Sequence, residues 1–229
     1  MVQRKDYRMG FKKIASFKIF FLIFLLSFSC YGFDSGDFQY WNTGSVSWEL
    51  KDNWKLILEE EFRFGDDAGE FYYQHSDLGL NYSGLATWLD IGVSYRHIFE
   101  KNASEWHEEN QPSFNATLKW KSFDLDLASR AKFEYRNREL GEEYWRFSDK
   151  FTVKLPLKLT RLEIQPYIAE EVLVDFDAED VNRNRLWAGF SMNLLKGLKA
   201  EIFYLWQASK KSGEWSNLNI LGTKIKFFF

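Results

Sequence analysis

Between Phe123 and Arg138 the chain alternates in a way that leaves few folds open to it. Phe123, Leu125, Leu127, Ala131, Phe133 and Tyr135 hold alternate positions, and Asp124, Asp126, Arg130, Lys132, Glu134 and Arg136 stand between them. A period of two places these sets on opposite faces of a β-strand, whereas a helix would scatter the apolar residues around its whole circumference. The charged face is too rich for an ordinary half-solvated sheet, and the other face is too aromatic to meet water. Hydrocarbon outside and a polar lumen inside satisfy both.

The same two faces recur along the chain. From Asp37 onward, alternating or extended segments cover 38–50, 54–64, 71–82, 88–99, 113–120, 123–136, 144–155, 162–176, 183–194, 198–209 and 216–229. Short connections at 51–53, 83–87, 121–122, 156–161 and 195–197 alternate with longer, charged ones at 65–70, 100–112, 137–143, 177–182 and 210–216. Short periplasmic turns and longer outer loops are the habit of an antiparallel up-and-down transmembrane β-barrel. Bacterial barrels close with even strand numbers, so twelve strands are expected, with residues 33–43 supplying a short extra strand, or ten as the alternative.

The first 32 residues differ in kind. Arg4, Lys5, Arg8, Lys12, Lys13 and Lys18 precede an apolar run from Ile19 to Phe28, followed by the small residues Ser27, Ser29 and Gly32. That order is a cleavable signal peptide, and the run is too short for a spanning helix, which needs about 20 apolar residues. Two parts are therefore expected, a signal peptide over 1–32 and a single barrel domain over 33–229. Cys30 is the only cysteine, so no disulfide forms within one chain. Beyond residue 32 the chain has 24 Lys and Arg against 32 Asp and Glu, an acidic balance that argues against nucleic acid as a partner.

Rings and charges have assigned places in such a barrel. Trp54, Trp88 and Trp120 abut short turns, while Tyr144 and Trp145, like Phe71 and Tyr72, follow long loops. These are the expected aromatic girdles at the two headgroup levels. The lumen is expected to collect Glu59, Glu61, Arg63, Asp77, Asp90, Arg96, Arg130, Lys132, Glu134, Arg136, Arg146, Lys150, Arg183 and Arg185, with Asp124, Asp126, Lys154, Lys199 and Glu201. Glu60, Asp149 and Glu170 fall on the apolar face instead. They are expected near the outer rim or turned inward by a bulge, for which Pro166 is a candidate because it lacks a ladder donor.

The last strand carries Gly222, Ile225, Phe227 and the terminal Phe229. An aromatic strand ending on phenylalanine resembles the signal read by the barrel assembly machinery. Several stretches also resemble a known family: Asp37-Phe-Gln-Tyr-Trp-Asn, Glu59-Glu-Glu-Phe-Arg-Phe64, Phe133-Glu-Tyr-Arg-Asn-Arg138, Leu155-Pro-Leu-Lys158, Val174-Asp-Phe176 and Asn182-Arg-Asn-Arg185. Together these are similar to the domain of unknown function 2490, a family of exported barrels from Gram-negative bacteria. The resemblance implies an outer-membrane barrel and brings no substrate, cofactor or catalytic residue.

Function classes follow from the inner wall. Interleaved charges are expected to form an ion-pair network that fills a narrow barrel, structural in itself, or to line a narrow passive channel for ions or small polar solutes. A different class is a membrane-embedded hydrolase acting on lipid, built on His75 and Asp77 with a hydroxyl such as Ser94 from the neighbouring strand. Adjacent Ser76 faces the other way, His97 falls on the apolar face and His107 in an acidic loop. No metal-ligand spacing or phosphate-cradling glycine motif is present, and no cofactor is expected. A third reading places binding in the acidic, aromatic stretch Glu100 to Pro112. The expected partners are outer-membrane lipid and the assembly machinery, and the barrel is expected to be monomeric.

Overall fold

The computed structural model describes residues 36–102, 105–139, 141, 143–176, 180–211 and 214–229; the predicted signal segment lies outside them. Eleven strands form a closed barrel: β1 (Phe38–Glu49), β2 (Trp54–Gly65), β3 (Glu70–Ala86), β4 (Leu89–Asn102), β5 (Glu105–Ser122), β6 (Leu125–Arg138), β7 (Tyr144–Lys154), β8 (Gln165–Asp175), β9 (Asp180–Leu195), β10 (Leu198–Lys211) and β11 (Glu214–Phe228). Each pairs antiparallel with its sequence neighbours, but β1 and β11 close the barrel in parallel, from Phe38 opposite Asn219 to Ser47 opposite Phe228. The expectation of twelve or ten strands is thereby corrected. An extra strand over 33–43 is not available, because Phe38 to Thr43 already belong to β1. Parallel closure lets an odd number of strands satisfy every backbone edge.

Alternation sets which side chain goes where. Leu78, Val93 and Ile168 on the outer wall are each 53% exposed, whereas inward-facing Leu205 and Ile220 are 0% exposed. On the β8–β1 side the interior is packed by Trp41, Tyr167, Ala169, Trp187, Leu205 and Ile220, with Phe203 and Leu218 against them. Phe203 needs bare backbone on both sides. A Cβ at Gly222 would stand 2.1 Å from its ring, and one at Gly189 would stand 2.7 Å from its Cβ. Those two glycines on β11 and β9 thus make the bed for an inward ring.

The expected contrast between short turns and long loops is not found. Connections at the β1–β2 end run 50–53, 87–88, 123–124, 155–164 and 196–197, and those at the other end run 66–69, 103–104, 139–143, 176–179 and 212–213. The longest, 155–164, lies at the end expected to carry short turns, and it is pinned by a bridge between Leu159 and Ile164. Within the stretch expected to be a loop, Glu100 to Asn102 and Glu105 to Pro112 are strand, with Asn102 opposite Glu105 and Glu100 opposite His107. Backbone ladders ask nothing of side-chain pattern, so a hairpin can continue where charges occupy both faces. β5 reaches 18 residues, well beyond the 9–11 that a spanning strand uses.

Phe123 is also displaced from its expected strand. Phe123 and Asp124 form the turn before β6 with φ of 49° and 66°, and Phe123 is 95% exposed. A two-residue hairpin of this twist needs positive φ at both central positions. Asp52 and Asn53 meet the same demand between β1 and β2 with φ of 58° and 67°.

Trp54, Trp88, Trp120 and Trp145 are exposed on the outside, and Trp54 packs on Tyr82 with ring centroids 4.7 Å apart. Tyr144 is not a girdle residue. It is buried, and its hydroxyl receives hydrogen bonds from Arg136 at 2.7 Å and Arg146 at 3.1 Å. Adjacent strand residues face opposite ways, so Tyr144 and Trp145 cannot share a girdle. Tyr72 likewise donates to Gln39 at 2.8 Å rather than meeting the outside. Glu60, Asp149 and Glu170 are neither at the rim nor turned inward. The irregularity in β8 falls at Leu173/Val174 rather than at Pro166. Glu60 lies mid-strand opposite Gly44 and Ser76, Asp149 accepts from Ser129 at 3.0 Å, and Glu170 accepts from Asn184 at 3.0 Å.

Candidate functional site in the barrel interior

The inward positions of β2 to β7 carry charges on facing strands at matched heights, and pairing follows from the register. Glu59 lies opposite Asp77 and Asp77 opposite Arg96; Arg96 donates to Asp77 at 2.9 Å, while Glu59 turns to Lys224 on β11 at 2.5 Å. Lys132 and Glu134, two apart on β6, meet at 2.5 Å, as do Glu61 and Arg63 on β2 at 2.6 Å. Arg130 reaches Glu171 at 3.7 Å, and Arg185 reaches the same carboxylate at 3.2 Å. Asp90 pairs with Lys119 at 2.7 Å near the β1–β2 end. Lys150 lies over the Trp187 ring, 3.6 Å from its centroid.

Toward the opposite mouth the pairs become richer in arginine. Arg136 and Arg138 share Glu109, the first through two nitrogens and the second at 3.2 Å. Arg146 forks onto Asp175 and also stands 3.6 Å from Glu134. Aromatic faces hold these groups in place. The Arg63 guanidinium is 3.7 Å from the Trp41 centroid and 3.9 Å from that of Tyr73, and Arg138 is 5.1 Å from that of Tyr144. Rigid guanidinium forks over rings suit recognition of planar or tetrahedral anions.

The residues weighed for a hydrolase each have other partners. His75 Nδ1 is hydrogen-bonded to Tyr73 at 3.1 Å, and its Nε2 stands 3.7 Å from Glu59. Ser94 is bonded to Ser113 at 2.9 Å, and Asp77 is engaged by Arg96. His107 lies on β5 near Glu139, and His97 is bonded to Asn110 on the outer wall. Among the described residues no cluster of metal-ligating groups is found. Of the acidic stretch expected to bind a partner, Glu105 to Pro112 lies in β5 and contributes Glu109 to the interior.

Of the interior positions expected from the sequence, Asp124 is in the β5–β6 turn, and Asp126 pairs with Lys121 in an exposed contact at 3.1 Å. The sequence reading missed Glu109, Glu171, Asp175, Tyr144, Lys224 and Lys226. Lys224 and Lys226 alternate with Ile225 and Phe227, a signal that was present. Glu109 had none, because the charges around it carry no period.

A family model described as "Protein of unknown function (DUF2490)" matches residues 38–218, from the first strand into the last. The chain belongs to the DUF2490 family. No curated protein matches it. The matched span of this DUF2490 chain includes Arg63, Glu109, Arg136, Arg146, Arg183 and Arg185, so the arginine-rich half of the interior lies within the family domain.

Proposed function

We propose that this DUF2490 chain is an integral barrel of a Gram-negative outer membrane whose interior is closed by its own side chains, a structural rather than a conducting role. The observation that carries it is the inversion of a soluble fold. Val93, Leu78 and Ile168 are bare on the outer wall, while Glu134, Arg136, Arg146 and Glu171 are buried within. A soluble protein would lose solubility with such a wall, and lipid would stabilise it. In this reading residues 1–32 direct export, the assembly machinery reads Gly222, Ile225, Phe227 and Phe229, and the barrel works as a monomer.

Occlusion follows from side-chain size. Eight strands enclose space for side chains alone and sixteen leave a channel, so eleven strands carrying Trp41, Trp187, Phe203 and paired arginines leave little room. The purified protein in planar bilayers is therefore expected to be electrically silent in molar salt. Discrete current steps would contradict the closed interior. Were current to appear, Arg130, whose side chain is 47% exposed, is a residue a passing ion would meet, and a changed ion selectivity in Arg130→Glu would assign the current to this lumen.

A further inference from the structure

Among the described residues, one interior arginine has no counter-charge. Toward the mouth where β9 begins, Arg63, Arg136, Arg138, Arg146 and Arg185 are each paired with Glu61, Glu109, Asp175 or Glu171. Arg183 is not. Among the described residues no carboxylate pairs with it, and its Nε is sealed from solvent without an acceptor while the residue as a whole stays partly accessible. The charges that act on it most strongly are Arg146, Arg185, Arg136 and Arg63, all of its own sign. Asn182, beside it at the β8–β9 irregularity, holds Asp175 in the Arg146 fork.

An uncompensated guanidinium among four others is unfavourable unless an anion joins it, because removing one partner of a buried pair leaves the full desolvation cost of the other. The surrounding arginines are already held by rings and carboxylates. Trp41 lies under Arg63 and, at 5.6 Å, under Arg185; Tyr144 lies 5.7 Å from Arg146. Little side-chain order remains to be lost when a ligand arrives. We infer that Arg183, with Arg146, Arg136 and Arg185 around it, forms a binding site for a soluble multivalent oxyanion of the phosphate class, entered from the β9 mouth of the barrel. Multivalency is favoured over chloride because Arg183 and Arg185 stand two residues apart on β9, with Arg146 one strand beyond on β7, and only an oxyanion offers several acceptors to more than one guanidinium. The inference rests on interior geometry and holds whether or not the outer wall meets lipid.

The test is the thermal unfolding midpoint of the purified protein in non-ionic detergent, titrated with inorganic phosphate against chloride at equal ionic strength. Phosphate is expected to raise the midpoint to a plateau, and chloride is expected to leave it flat. Arg183→Gln should abolish the phosphate response and raise the phosphate-free midpoint, since it removes an unpaired charge; Arg161→Gln at the other end should respond as the parent does. Should Arg183→Gln fail to fold, Arg183→Lys keeps the charge without the fork and is expected to need roughly tenfold more phosphate for half its effect. A parent that responds equally to chloride overturns the site. So does an Arg183→Gln protein that responds to phosphate like the parent, or an Arg183→Lys protein with unchanged phosphate demand.

Discussion

Glu109→Gln should cost this barrel about 3–5 kcal/mol of stability, the range expected when one member of a buried ion pair is removed. Glu109 is 5% exposed and receives Arg136 through two nitrogens, Arg138 through one and Gln111 through its amide at 2.5 Å. Neutralising it strands the buried Arg136 guanidinium, since Asp175 and Glu134, the described interior acids beside it, are already engaged by Arg146 and Lys132. The loss would be read from urea unfolding in lipid vesicles. Adding Arg136→Met to Glu109→Gln should restore part of the loss, because an apolar replacement of the whole pair is far less costly than half of it. A loss below about 1 kcal/mol for the single variant would mean that water, not the pair, solvates this end of the interior.

Val93→Arg should cost about 2–4 kcal/mol in a bilayer, the penalty of a cation at the midplane of a barrel's lipid face. Val93 is 53% exposed, midway along the apolar outer run of β4, opposite Leu80 on β3 and Phe114 on β5. On a surface facing water the same change would be within about 0.5 kcal/mol of neutral. The contrast makes it informative. Comparing unfolding of Val93→Arg with that of Ser94→Arg, one residue away on the inner face, separates a lipid penalty from general damage to β4. Equal, small effects at Val93 in vesicles would argue that hydrocarbon does not touch this wall.

The fold was legible wherever one face had to differ from the other. In β6 the alternation from Leu125 to Arg136 places Arg130, Lys132, Glu134 and Arg136 inside, and each meets an interior acid or base or, for Arg136, also Tyr144. It failed where the two faces become alike. Glu105 to Asn110 has charge on both sides, so β5 could not be seen beginning at Glu105, and Glu109 was lost with it. Strand parity was hidden for another reason. Whether β1 meets β11 in parallel depends on where the chain enters the barrel, and no local pattern in Phe38 to Glu49 records that. The outer carboxylates were visible, but their local partners Ser129 and Asn184 depend on cross-strand register, which the pattern leaves open.

The central claim is that the wall bearing Ile91, Val93 and Tyr95 faces hydrocarbon while Ser94 and Arg96 face an enclosed interior. Nitroxide labels placed singly along β4 of the barrel in vesicles test it most directly through collision with oxygen and with a water-soluble nickel complex. Labels at positions 91, 93 and 95 should collide often with oxygen and rarely with nickel, and those at 94 and 96 rarely with either. Frequent nickel collisions at 91, 93 and 95, equal to those of a label on the exposed turn at Phe123, would contradict the membrane reading.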